Sequence, residues 1–309
     1  MKTAGIHHIS AIVGNAQENV DFYAEILGLR LVKKTVNFDD PGTYHLYFGN
    51  EGGEPGTLIT FFPWNRSYRG KVGGGQVGVT SYAVPLGALP FWEKRLSHYD
   101  IPFDKVERFG ETYLQFVDVH GLILEIVERS EGKENPWTFN GVTPEVGIKG
   151  FAGTVFFSLK PEETIKTVEE VMGLNKLGED GDVVRYRSSS DRGNTIDIKK
   201  TAVPKGRMGI GTVHHIAWRA KDEQELKAWQ DRVQANDLQV TEVKDRNYFK
   251  AIYYREHGDI LFEIATDGPG FAHDESYEKM GSEVMLPPAY ENRRDELVNP
   301  LLPIEVREV

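Results

Sequence analysis

Gly5-Ile6-His7-His8-Ile9-Ser10-Ala11, near the start of the chain, returns almost unchanged as Thr212-Val213-His214-His215-Ile216-Ala217-Trp218. Both stretches read as strands, and each is followed by a helix-opening pattern, Asn15 with Glu18 and Asp222 with Glu225. Val20, Tyr23, Ala24 and Leu27 then form an apolar stripe at helical spacing, as do Leu226, Trp229 and Val233. Short strand-like runs come after each helix, at 44–48 and 58–62 in the first copy and at 251–255 and 260–264 in the second.

Two weaker copies lie between them. One runs from 78–84 through Trp92, Leu96 and Tyr99 to 121–127, the other from 153–159 through Ile165, Val168 and Met172 to 195–198. The chain of 309 residues is thus four strand-helix-strands modules. One such module cannot bury its own sheet face, so the modules pair, giving an α+β fold of two domains. The expected boundaries are 1–135 for an N-terminal domain, 136–149 for a linker, 150–267 for a C-terminal domain and 268–309 for an extended tail. Because first-strand histidines occur only in modules one and four, these two are expected to build one cavity, and modules two and three the other.

Thirty-six basic against 47 acidic residues leave a formal charge of -11, which argues against nucleic acid as a partner. No apolar run is long enough to span a bilayer and no signal-peptide core is present, so no membrane partner is expected and the protein reads as cytoplasmic. With no cysteine, any metal must be held by His and carboxylate. Gly73-Gly74-Gly75-Gln76-Val77-Gly78 matches the dinucleotide-binding pattern only literally, since it leads into a strand and not a helix.

The paired histidines and Glu263 carry the chemistry. Strand residues alternate in direction, so one His of each pair points into a shared cavity and the other stands behind it. Glu263 lies inside the apolar run Ile260-Leu261-Phe262-Glu263-Ile264, where a carboxylate is costly unless something binds it. Two imidazoles and one carboxylate are the facial set that leaves positions open on non-haem Fe(II). Glu125 and Asp197 occupy similar places in modules two and three, but Ser81 and Gly153 or Thr154 stand where histidines would be, so both acids read as structural.

Beyond the repeat, Asn15–Gly28 with Phe22-Tyr23, the run Lys33-Lys34-Thr35-Val36-Asn37-Phe38-Asp39, Tyr44-His45-Leu46-Tyr47-Phe48, Phe61-Phe62-Pro63-Trp64 and Leu286-Pro287-Pro288 form a pattern. It resembles the vicinal oxygen chelate superfamily, built of βαβββ modules, and within it the hydroquinone-type ring-cleaving dioxygenases. The resemblance implies iron ligands at His8, His215 and Glu263, with His7 and His214 just behind them. It also implies that Arg246 and Tyr253 engage a phenolic substrate, that His7 and His214 position or shuttle protons, and that Ser10, standing where the family carries Thr, lines the substrate pocket. By composition alone Tyr253 and Tyr254 are indistinguishable.

The expected activity is therefore opening of a hydroquinone or catechol ring with O₂ as co-substrate, using Fe(II) or the similarly ligated Mn(II). One competitor is a glyoxalase-type isomerase, which takes a fourth protein ligand. Aligning Gly56 with Gly258 puts Phe61 at that place, so Phe61 is expected to line the substrate pocket instead. The other competitor, a non-enzymatic small-molecule binding protein, has no need of a metal triad. A homo-oligomer is left open.

Overall fold

The computed structural model describes residues 1–308. Module one comprises β1 (Ile6–Val13), α1 (Ala16–Val20, widening into a π turn over Asp21–Ile26), β2 (Arg30–Asn37), β3 (Asp40–Gly49) and β4 (Leu58–Pro63). Module two follows with β5 (Gln76–Val84), α2 (Leu89–His98), β6 (Phe103–Arg108), β7 (Glu111–Val117) and β8 (Ile123–Glu128). Module three is β9 (Gly150–Phe157), α3 (Pro161–Lys166), β10 (Asn175–Asp180), β11 (Val183–Arg187) and β12 (Thr195–Lys199). Module four is β13 (Thr212–Ala220), α4 (Glu223–Ala235), β14 (Lys244–Asp245), β15 (Lys250–Arg255) and β16 (Leu261–Thr266). The tail adds β17 (Val284–Met285) and α5 (Arg294–Val298). Asn15 caps α1 by accepting from the N–H groups of Gln17 and Glu18, and Asp222 caps α4 by accepting from Glu225 N–H.

The α+β fold is two curled half-barrel sheets, and each takes one module from either half of the chain. Strand order is β14-β15-β16-β13-β1-β4-β3-β2-β17 in one and β10-β11-β12-β9-β5-β8-β7-β6 in the other. The joins are antiparallel pairs of first strands, β1 with β13 and β5 with β9. Modules one and four thus share a sheet, the pairing implied by their histidines, and the segment 136–149 separates stretches of sequence but not sheets. One continuous apolar cluster draws on all four modules, including Ile6, Tyr82, Phe156 and Trp218.

The linkers and tail are built into this body. Val142 and Ile148, within 136–149, are buried, and Trp92 Nε1 donates to the Val146 carbonyl at 2.8 Å. Gly28 turns the chain from α1 into β2 at φ 68°, and a Cβ there would lie 2.6 Å from Val142. In the tail, β17 pairs with β2, while Leu286 and Leu297 bury against Val36. Asp274 and Glu275 meet Lys33 Nζ at 2.6 and 2.5 Å, which compensates a lysine with no solvent exposure. Among the described residues no helix is long and apolar enough to cross a membrane.

Candidate metal centre and substrate cavity

Strand register gathers three side chains on the inner face of the nine-stranded sheet. Ser10 pairs with His215 and His8 with Ala217, which sets the two histidines diagonally across the β1/β13 junction. Parallel pairing of β13 with β16 then places Glu263 beside Ala217. His215 Nε2 lies 2.8 Å and His8 Nε2 3.4 Å from Glu263 Oε2, and the two Nε2 atoms are 3.3 Å apart. The ligand atoms of all three residues fall within 4.8 Å of one another.

Despite these short distances, neither oxygen of Glu263 receives a well-directed hydrogen bond. Burial pushes the Glu263 carboxyl up, but the His8 and His215 imidazoles more than offset this and hold it well below the usual carboxylate range. Burial lowers His215, against the pull of Glu263. An ionised carboxylate with no donor aimed at it and imidazole nitrogens converging on it fits a divalent cation of the N/O type, which would satisfy all three at once.

His7 and His214 stand beside the His8 and His215 rings, where strict alternation alone would have sent them to the far face. Each is the unpaired residue of a β-bulge, β1 advancing from Ile6 to His8 while β13 moves one residue, and β13 from His215 to Val213 while β1 moves one. His7 Nδ1 consequently lies 2.9 Å from His8 Nδ1, and His214 Nδ1 2.8 Å from His215 Nδ1. If the Nε2 lone pairs of His8 and His215 face a metal, their Nδ1 atoms carry protons and donate to His7 and His214. Burial, followed by the neighbouring ring, lowers His7 well below its ordinary value and His214 to about 3, so both are neutral acceptors.

The triad opens into a cavity of about 390 Å³, within the range of small-molecule sites. Tyr253 and Arg246 form one wall. Arg246 Nε donates to the Tyr253 hydroxyl at 3.0 Å, and Arg246 Nη2 reaches Asp39 Oδ2 at 2.9 Å, across the mouth on the turn after β2. Burial, then Glu263, pushes the Tyr253 phenol well above its ordinary value, with Arg246 opposing. Tyr254 faces away, buried in the shared core with its hydroxyl on Met172 Sδ.

Two expected pocket residues lie elsewhere. Phe61 is wholly buried against Tyr23 and Phe48, and Phe62 lines the cavity in its place. The reason is register. Ser10 pairs with Thr60 on β4 as Ala217 pairs with Glu263 on β16, so Thr60, one residue earlier, is the counterpart of Glu263. Its hydroxyl supplies no anionic ligand. Ser10 is also fully buried and sits under the cavity floor, 2.6 Å from Thr60 Oγ1.

The opposite wall holds His45 and Tyr47, with Phe38, Phe62 and Trp64, none of which the sequence reading had placed there. The available signal was the spacing of two in His45-Leu46-Tyr47, which puts both side chains on one strand face.

Fold, repeat and site together define the class. Residues 5–133 and 150–264 match the model of the Glyoxalase/Bleomycin resistance protein/Dioxygenase superfamily, and the chain belongs to that superfamily. Within it, the chain falls with the ring-cleaving dioxygenases. It is 62% identical over 308 residues to the Bacillus subtilis protein named "Putative ring-cleaving dioxygenase MhqO", covering 100% of this chain and 99% of the relative. It is 37% identical to the chlorohydroquinone/hydroquinone 1,2-dioxygenase of Sphingobium indicum, covering 96% and 95%. A Bacillus subtilis crystal structure, described as that of a "putative dioxygenase", superposes with a TM-score of 0.99 at 62% identity, covering 100% of this chain and 99% of that one.

Proposed function

We infer that the protein is an Fe(II)-dependent dioxygenase that opens a hydroquinone or catechol ring, with His8, His215 and Glu263 holding the metal. The observation that carries this reading is the buried, donor-less Glu263 facing two imidazoles, in a cup whose fourth candidate position is the neutral Thr60. A metal held by these three protein groups would keep positions open to exogenous ligands. When bound, Fe(II) supplies the route by which electrons pass from an electron-rich ring to O₂.

The chain's own groups do the rest. Arg246 donates to the Tyr253 oxygen, so the Tyr253 proton is free to point at a substrate oxygen, and the guanidinium offsets anionic character there. His7 and His214 would fix the tautomers of the His8 and His215 imidazoles, and His214 also lines the cavity. Phe38, Phe62, Trp64 and Leu261 exclude water.

The decisive experiment is metal analysis of anaerobically purified protein, followed by oxygen-electrode measurements with methylhydroquinone and catechol. Iron at one equivalent, O₂ uptake and loss of aromatic absorption are expected. Manganese in its place would reassign the metal. Isomerisation of a hemithioacetal without O₂ uptake would move the protein to the glyoxalase side of the superfamily.

A further inference from the structure

The wall opposite Tyr253 carries a continuous polar chain that the ring-opening reading leaves unused. Ser10 Oγ lies 2.6 Å from Thr60 Oγ1, Thr60 Oγ1 is 2.8 Å from His45 Nε2, and His45 Nδ1 is 2.9 Å from the Tyr47 hydroxyl. All four side chains are buried, and only His45 and Tyr47 reach the cavity. The module repeat gives Tyr47 its meaning. Tyr47 pairs with Thr60 across β3/β4 as Tyr253 pairs with Glu263 across β15/β16, so the two phenols are counterparts on facing walls.

The chain has two self-consistent polarities. In one, the Tyr47 hydroxyl donates to His45 Nδ1 and His45 Nε2 donates to Thr60. In the other, Ser10 donates to Thr60, Thr60 donates to His45 Nε2, and His45 Nδ1–H donates to the Tyr47 oxygen. The second leaves the Tyr47 proton unengaged and facing the cavity. Burial holds His45 well below its ordinary value, so it remains neutral and either polarity is available. A buried phenol that exchanges one hydrogen bond for another without being stranded suits recognition of a ligand hydroxyl at little cost.

We propose that Tyr47, positioned by His45, binds the second hydroxyl of the substrate, the one remote from Tyr253 and the metal, and so selects a para-dihydroxybenzene over an ortho one. This rests on the ring-cleaving reading and narrows its substrate class. A catechol presents both oxygens to the metal side, whereas a hydroquinone carries one across the cavity to the Tyr47 wall.

The test is anaerobic calorimetric titration of the metal-replete protein with methylhydroquinone, catechol and phenol, the last lacking a second hydroxyl. Tyr47→Phe should weaken methylhydroquinone binding by about 3- to 10-fold, the equivalent of one neutral hydrogen bond, and leave phenol and catechol unchanged. His45→Leu should reproduce that selective loss, and His45→Asn, which keeps a polar group beside Tyr47, should restore part of it. Equal losses for all three ligands, or none for methylhydroquinone, would overturn the anchor while leaving the ring-cleaving reading intact. A wild-type protein that binds none of the three would remove both. Matching losses in the Leu and Asn variants would remove His45 from the proposal.

Discussion

The two half-barrels are built on one frame and filled in opposite ways. The bulges recur, with Gly78 the unpaired residue on β5, and the registers align position by position. Val79 and Gly153 stand where His8 and His215 stand, Asp197 beside Val155 matches Glu263 beside Ala217, and Glu125 beside Ser81 matches Thr60 beside Ser10. This corrects the sequence alignment, which set Ser81 at a histidine position. In the eight-stranded cup the two carboxylates are bridged by the protein itself. Arg108 grips Glu125 through both Nη atoms at 2.8 and 2.6 Å and Asp197 through Nε at 2.8 Å. Arg185, in Tyr253's place opposite Asp197, adds contacts to Asp197 at 2.7 and 2.8 Å. The cup that keeps histidines has no guanidinium bridging its carboxylate. A cup that loses them supplies fixed guanidinium cations, whose bidentate geometry suits carboxylates.

The largest expected effect breaks this comparison at its centre. Glu263→Ala, His8→Ala or His215→Ala should each reduce metal content from stoichiometric to trace and O₂ uptake to background, with the circular dichroism spectrum unchanged. Glu125→Ala, in the other cup, should retain metal and turnover but lose about 3–5 kcal/mol of stability in urea, because Arg108 loses its main partner while half-buried or deeper. Normal metal content in Glu263→Ala would end the assignment.

Next in size is the division of labour between adjacent tyrosines. Tyr253→Phe should keep the metal and lower kcat about 10²-fold or more, the range of a lost proton donor, whereas Tyr254→Phe should leave kcat unchanged because its hydroxyl meets only Met172 in the core. A comparable kcat loss in both would place the effect in packing.

These contrasts also mark what the sequence could disclose. The His-His repeat and the acid inside an apolar strand were legible because residue type and alternation carry them. Phe61 and the placement of His7 and His214 were not, since each depends on a bulge or on a loop one residue shorter in one module, and Ser81 was set two residues out of register on the same strand face. A shift of one residue moves a side chain to the other sheet face. Tyr253 was separable from Tyr254 only by resemblance until register decided it. Thr60, His45 and Tyr47 were overlooked because hydroxyls and a single strand histidine have no distinctive spacing beyond the period of two.

Acid sensitivity should fall more heavily on the nine-stranded cup, since no strand of the eight-stranded sheet contains histidine and only the turn between β7 and β8 brings one there, His120, also lowered by burial. His7, His45, His214 and His215 all have folded values below the ordinary one, chiefly through burial. The unfolded chain therefore binds protons that the fold refuses, and stability falls as pH drops below about 6.5. Metal-free wild type, followed by urea unfolding between pH 6.5 and 5, should lose stability steadily. Replacing His45 by Phe should flatten that slope by at most about 1.4 kcal/mol per pH unit. An unchanged slope would show that His45 titrates alike in both states.

The finest comparison is between two serines at the same place in the repeat. Ser10 and Ser81 each reach across to the last strand of their module, Ser10 to the neutral Thr60 and Ser81 to the Glu125 carboxylate, both at 2.6 Å. Removing a neutral hydroxyl partner costs about 0.5–1.5 kcal/mol, and removing one from an ion about 1.5–3 kcal/mol. Thr60 keeps His45 as a partner, whereas Glu125 keeps Arg108 and Gln115 but loses a short bond in a fully buried setting. Ser81→Ala should therefore be the more destabilising of the two by about 1 kcal/mol, a difference that paired urea titrations resolve. Neither should alter metal content, because Ser10 lies beneath the cavity floor and Ser81 belongs to the other cup. Loss of metal in Ser10→Ala would instead tie the Thr60 side of the cup directly to the metal.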